Sequence, residues 1–180
     1  MKMIENIQLE TNFWLYEFLH SDIAERFPDI KKKQFNPPKS VLEELKLTAQ
    51  MMQRIRDLCT RHIDNKIVIH ITSGYRCPDL NKIISKSKTS DHMFGRAADF
   101  VMYKDGQVIK DCDKIKYLYQ LIMTHISYYQ LIKEYGTRSV PAWTHISQRV
   151  NKNQNIKQNL EIGQHTKNNY VILDMNKWKC

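Results

Sequence analysis

Apolar and polar positions along this chain repeat with two different periods. Val41, Leu45, Met52, Ile55 and Cys59 recur at helical spacing, with Glu43, Glu44, Gln53, Arg54 and Arg56 elsewhere on the turn. This predicts a long amphipathic helix over about 40–63. Asn36-Pro37-Pro38-Lys39 marks its start, because proline fixes φ and has no N–H to donate. Ser40 with Glu43 three residues on has the form of a capping box. Ile115, Leu118, Tyr119 and Ile122 predict a helix at about 111–126, and Pro78 opens a short one through Leu80, Ile83 and Ile84. Ile67-Val68-Ile69-His70-Ile71-Thr72 is a β-branched run and reads as a strand, as does Ala97-Ala98-Asp99-Phe100-Val101-Met102-Tyr103. Two more strands are predicted at about 128–135 and 142–149, separated by Gly136-Thr137-Arg138-Ser139. A weak hairpin signal follows at Leu160-Glu161-Ile162 and Tyr170-Val171-Ile172-Leu173, around Lys167-Asn168-Asn169. Residues 85–95 are polar and loop-like. Helices and strands mix without a regular βαβ alternation, so the predicted class is α+β.

Residues 1–40 read as a partly ordered lead-in. Asn12-Phe13-Trp14-Leu15-Tyr16-Glu17-Phe18-Leu19 supplies apolar bulk to pack it on a single domain over 41–180. The 180 residues suit one domain with a real core. Hydrophobic residues make up 42% and Gly plus Pro only 10, which excludes disordered and collagen-like chains. Apolar runs such as Leu121-Ile122-Met123 are far short of the ~20 residues a membrane span needs. Met1-Lys2-Met3-Ile4-Glu5-Asn6 contains no apolar signal segment, so no secretory leader is expected. Cys59, Cys77, Cys112 and Cys180 are widely spaced with no CxxC pair, and reduced thiols are expected. With 28 Lys+Arg against 19 Asp+Glu, the formal net charge is +9. It is spread along the chain: Lys31-Lys32-Lys33, a looser group at Lys82, Lys86 and Lys88, and the last thirty residues. Such a surface is either simply solvated or drawn to a polyanion. No nucleic-acid motif accompanies it, so no specific nucleic acid is expected.

Two of the seven histidines stand in informative surroundings. His92 lies in Ser90-Asp91-His92-Met93-Phe94-Gly95-Arg96-Ala97-Ala98-Asp99. There a glycine permits a sharp change of direction, and small alanines allow a close approach before a strand-start aspartate. His145 lies in Trp143-Thr144-His145-Ile146-Ser147, where alternation puts Trp143, His145 and Ser147 on one face. Two imidazoles and a carboxylate form a three-ligand set with an open fourth position, the arrangement of a catalytic zinc. Spacing alone favours an ordinary loop histidine and an ordinary strand histidine over a metal site. His70, on the first long strand opposite Ile69 and Ile71, is as readily a strand histidine as a site residue.

The His92 segment resembles the SxHxxGxAxD signature of the M15 peptidases, the group of zinc D-Ala-D-Ala carboxypeptidases, vancomycin-resistance dipeptidases and phage endolysins. Ser90, His92, Gly95, Ala97 and Asp99 match. Ser73-Gly74-Tyr75-Arg76 with Leu80-Asn81 is similar to the family's SGYR…LN stretch, and Trp143-Thr144-His145-Ile146-Ser147 to its W-x-H-[IV]-S strand. Gln130-Leu131-Ile132 with Glu134 resembles the preceding strand of the shorter branch. The resemblance covers about residues 8–173. It implies a hedgehog and D-Ala-D-Ala-peptidase-like fold, a small antiparallel sheet with helices packed on one face. It implies His92, Asp99 and His145 as ligands of Zn2+. It also places Arg76 near the substrate carbonyl or carboxylate, which suits an always-charged planar donor fork. Ser90 reads as a loop-organising, substrate-side hydroxyl, and Trp143 as core or pocket wall. One departure stands out. Many members carry a glutamate base three residues before the last histidine, and here that residue is Ala142. Glu134, on the preceding predicted strand, is the leading candidate for the base, ahead of Asp91 and His70.

The activity implied is that of a zinc metallopeptidase acting on peptide bonds of bacterial peptidoglycan stem peptides, of the D-Ala-D-Ala or L-Ala-D-Glu type. The alternative is a catalytically inactive zinc-binding module of a phage or wall-associated assembly. A monomer is expected. The location expected is the cytoplasm until lysis releases the protein, or association with a virion.

Overall fold

The long central helix follows the apolar spacing closely: α4 spans Lys39–His62 and buries Val41, Leu45, Met52, Ile55 and Cys59. The computed structural model describes residues 4–85, 87–149 and 151–180. Lys86 of the basic group, and Met1, Lys2 and Met3 of the lead-in, lie outside the described residues. The expected capping box does not form, because α4 begins one residue early. Ser40 sits inside the helix, and the Pro38 carbonyl accepts from the Val41 and Leu42 N–H groups at 3.0 and 3.1 Å. A proline that cannot donate can still close the first turn as an acceptor.

Ahead of α4, the lead-in forms an antiparallel hairpin of β1 (Gln8–Glu10) and β2 (Phe13–Trp14). Three short helices follow: α1 (Leu15–Leu19), α2 (Asp22–Glu25) and α3 (Pro28–Gln34). After α4 come β3 (Val68–Ser73), α5 (Pro78–Ile84), a 3-10 turn at Asp91–Phe94, β4 (Ala97–Lys104), β5 (Gln107–Val108) and α6 (Cys112–His125). Then follow β6 (Gln130–Glu134), β7 (Trp143–Ser147), β8 (Gln158–Ile162) and β9 (Val171–Ile172). The strand order in the main sheet is β3-β4-β7-β6-β8-β9, with β5 paired to β4. The α+β class is therefore as the sequence predicts. The sheet is mixed rather than wholly antiparallel: β6 and β7 pair antiparallel, as do β8 and β9, but β8 lies parallel to β6. The tail hairpin was legible; the edge it joins, and in which direction, is set by tertiary packing.

The residues group into two compact units, and the dividing points fall inside α4, β3 and β4. The first comprises the chain up to Gln53 and Ile71–Ala98. Its core includes Phe13, Leu15, Phe18, Leu19, Leu45, Met52 and Leu80, all fully buried. The buried Gln34 amide ties this unit together. Its Nε2 donates to the carbonyls of Leu19 (2.9 Å) and Tyr75 (2.6 Å), while its Oε1 accepts from Cys77 N–H at 2.8 Å. The lead-in thus holds the Ser73–Cys77 segment directly, and Tyr75 N–H donates to the Phe18 carbonyl at 2.7 Å.

The second unit comprises Arg54–His70 and Asp99–Cys180. Here α6 packs on the β6–β7 hairpin through Tyr119, which is fully buried. Its hydroxyl donates to the Ile132 carbonyl at 3.2 Å and hydrogen-bonds the Thr144 hydroxyl at 3.0 Å. The expectation of four reduced thiols is corrected for two of them. Cys112 and Cys180 form a disulfide across 68 residues, with Cα atoms 5.4 Å apart. Sequence spacing hid the pairing because the tail folds back to the start of α6. Cys59 and Cys77 are free and buried.

Candidate metal and catalytic site

Ser73-Gly74-Tyr75-Arg76 leaves the end of β3 in contact with α1. A Cβ on Gly74 would stand 2.5 Å from the Phe18 carbonyl oxygen and 2.6 Å from its Cα, so only glycine fits there without a shift. This close approach presents the Gly74 carbonyl to His92, whose Nδ1–H donates to it at 2.6 Å. The bond fixes the tautomer and leaves Nε2 with the lone pair. His92 itself lies in the 3-10 turn, which ends at Gly95 with φ +73°. A Cβ at Gly95 would meet the Val41 carbonyl oxygen at 2.8 Å. The turn is further fastened by Thr48, whose hydroxyl donates to the Gly95 carbonyl at 2.8 Å, and by Arg96, whose Nε and Nη2 both donate to Glu44 Oε1 at 3.0 and 2.8 Å. These orienting groups were not among the sequence candidates. The glycine in SGYR was the available signal.

Asp99 is the third residue of β4, and His145 the central residue of β7. Both are buried, and His145 Nδ1 lies 2.8 Å from Asp99 Oδ1, a hydrogen-bond separation. His92, Asp99 and His145 offer donor atoms that all lie within 4.8 Å of one another. Ligands around one tetrahedral zinc stand roughly 3.3–3.6 Å apart. Two imidazoles and one carboxylate, all buried, with one ring oriented by a backbone carbonyl, are a donor set that fits a divalent cation.

Arg76 is half-buried, its N–H donates to the His92 carbonyl at 3.1 Å, and its Nε donates to Ser73 Oγ at 2.9 Å. Ser90 precedes the 3-10 turn without capping it through its hydroxyl; its carbonyl accepts from Met93 N–H at 3.0 Å. The β6–β7 register pairs Glu134 with Trp143 and Ile132 with His145. Glu134 therefore stands two pairs beyond His145, on the same face of the hairpin. Trp143 Nε1–H donates to Glu134 Oε2 at 2.7 Å, and its ring packs at 5.1 Å against Tyr135. Ala142, at the family's glutamate position, is exposed and donates its N–H to the Glu134 carbonyl at 2.9 Å. Asp91 is buried, and its carbonyl accepts from Arg96 N–H at 3.1 Å. His70 is exposed and packs its ring at 5.2 Å on Tyr103. Ser147, two residues beyond His145 on the same face, is fully buried. Its hydroxyl has no hydrogen-bond partner among the described residues.

A family model described as Peptidase M15 matches residues 16–147, from α1 to the last residue of β7. The chain belongs to the peptidase M15 family. No curated protein matches it. M15 membership makes the chain a member of a hydrolase family, and the His92–Asp99–His145 cluster could hold a metal ion. The M15 match contains every candidate site residue, and it stops short of β8, β9 and the tail. No helix among the described residues is long and apolar enough to cross a membrane.

Proposed function

We propose that this M15 chain is a zinc-dependent peptidase that hydrolyses a peptide bond in bacterial peptidoglycan stem peptides. The observation that carries the reading is the convergence of three buried donors, His92, Asp99 and His145, within 4.8 Å in a chain of this family. When bound there, Zn2+ supplies Lewis-acid polarisation of the scissile carbonyl and lowers the pKa of water to about 7. Arg76 presents a permanently charged fork of donors to a substrate carboxylate or to the oxyanion that develops at the carbonyl carbon. Glu134 takes the proton of the attacking water and returns it to the leaving amine. Trp143 orients that carboxylate, since its indole N–H donates to Oε2 at 2.7 Å. Ser90 and Trp143 border the substrate, and the +9 charge favours an anionic wall.

The test pairs metal analysis with turnover. The expected results are about one zinc per chain and release of new amino groups from purified peptidoglycan that a chelator abolishes. His92→Ala and Asp99→Ala should each lose the metal; retention in both would place the site elsewhere. Zinc without release from peptidoglycan would favour the non-catalytic module, which Ala142 at the family's glutamate position motivates.

A further inference from the structure

The tail that closes on α6 bears on the loop between β6 and β7. Trp178 is buried, 4% exposed, with its ring edge-on to Tyr119 at 4.9 Å. Its indole N–H donates to the Ser139 carbonyl at 2.7 Å, and its own carbonyl accepts from Lys116 Nζ at 2.6 Å. Ser139 Oγ–H donates to the Lys179 carbonyl at 2.8 Å. Cys112 Sγ, which has no proton to give while disulfide-bonded, lies 3.2 Å from the same Ser139 carbonyl. From the sheet side, Lys133 is 1% exposed. Its Nζ donates to the carbonyls of Thr137 (3.2 Å) and Arg138 (2.7 Å) and lies 5.1 Å over the Trp178 ring. The loop at 137–139 is therefore gripped by Lys133 on one side and by the tail on the other. Its two ends are Glu134 and Trp143.

We propose that Cys112 and Cys180 form a thiol–disulfide exchange site, whose co-reactant is a small or protein dithiol. Its oxidation state switches the tail between a closed strap over the β6–β7 loop and a released one. The two sulfurs differ in access and in leaving ability. Cys180 is exposed and Cys112 half-buried, so the incoming thiolate reaches Cys180. Cys112 is the first residue of α6, and a helix N-terminus stabilises a departing thiolate. A dithiol thiolate bonds to Cys180 Sγ, the Cys112–Cys180 bond breaks, and the Cys112 thiolate takes up a proton. The second thiol of the reductant then displaces Cys180, which leaves as a thiol, and the reductant ends as its own disulfide. Two electrons and two protons pass to the protein. With the covalent tie gone, the tail is held by one indole and three hydrogen bonds, and untied termini are poorly ordered. A reducing compartment would thus keep the strap open, and an oxidising one would close it.

The test uses the full chain and needs no substrate. Alkylation under denaturing, non-reducing conditions should count two free thiols of four, Cys59 and Cys77. Four that persist after equilibration with oxidised glutathione would overturn the proposal. Treatment of the native protein with dithiothreitol should then expose Cys112 and Cys180 to label while Cys59 stays protected. Amide hydrogen exchange at 137–142 and 174–180 should quicken at least tenfold, with β4 and α4 unchanged. Cys180→Ser should reproduce that pattern without reductant and should not respond to it. Unchanged exchange in both segments, or equal quickening across the whole chain, would overturn the strap. Both readouts are independent of peptidase activity, so failure of the strap and failure of the peptidase reading are distinguishable.

Discussion

Replacing Gly74 by alanine puts one methyl group where the structure has no room. The added Cβ would lie 2.5 Å from the Phe18 carbonyl oxygen, 2.6 Å from Phe18 Cα and 2.8 Å from Phe18 Cβ, and two of these three atoms are backbone. Ordinary van der Waals contact is about 3.5–4 Å, so α1 and the end of β3 must separate by roughly 1 Å. Overpacking of this kind costs about 1–3 kcal/mol. The same movement stretches the Tyr75 N–H to Phe18 carbonyl bond of 2.7 Å and the Gln34 bridge between the Leu19 and Tyr75 carbonyls. Each buried hydrogen bond lost adds about 1 kcal/mol. The expected loss is about 3 kcal/mol, read as a lower urea midpoint at unchanged m-value and a melting temperature lower by roughly 10 °C. Gly106→Ala is the matched control. Nothing lies within 4 Å of the added methyl, and only the φ of +77° resists it, so the loss should be about 1 kcal/mol. Gly74→Ala should also weaken zinc binding about 10- to 100-fold, because His92 loses the carbonyl that orients it. Equal midpoints for the two variants would refute the close-approach reasoning.

Other expectations follow from single contacts. Glu134→Gln should keep zinc but lose peptidase activity, and Trp143→Phe should lower kcat with little change in KM, both measured on peptidoglycan fragments; full activity in Glu134→Gln would move the base to Asp91 or His70. Tyr119→Phe removes a hydroxyl with two buried partners and should cost about 1–2 kcal/mol by urea unfolding. Burial pushes the Cys59 thiol up to about 12 from 9.0, and the Tyr75 and Tyr128 hydroxyls up to about 12 from 10.0. Unfolding frees these groups to ionise, so the stability they contribute is complete below pH 9 and should fall as pH rises from about 9 to 12; a urea midpoint that stays flat from pH 9 to 11 would contradict the burial.

The elements that carry the site were legible because their periodicity is strong. The predicted helix at 40–63 and the strands around Asp99 and His145 lie within a few residues of α4, β4 and β7. The cluster itself was legible only through the motif, since spacing cannot say that a loop histidine reaches a strand five elements on. What was not legible depends on contacts distant in sequence. The Gly74 carbonyl orients His92 because α1 lies against it, and the Trp143 indole reaches Glu134 because the hairpin register is Glu134↔Trp143. The Cys112–Cys180 pair was missed because the tail's return depends on the packing of Trp178, a residue with no pattern around it.

The parallel seat of β8 on β6 gives the segment beyond the M15 match a part to play in solubility. The M15 match ends at Ser147, and at that point β6 would be the outer strand, with Leu131 and Ile132 at its centre. A row of unsatisfied N–H and C=O groups beside apolar side chains is a template for pairing with other chains. In the complete fold β8 takes all five positions of that row, from Gln130↔Gln158 to Glu134↔Ile162. The edge passes to β9, which is only two residues long and stands between Lys167-Asn168-Asn169 and Asp174. A strand of two residues is too short a row to make a good template. Chains cut after Ser147 would keep every candidate site residue, yet they should self-associate, and shortened forms of this protein should retain β8.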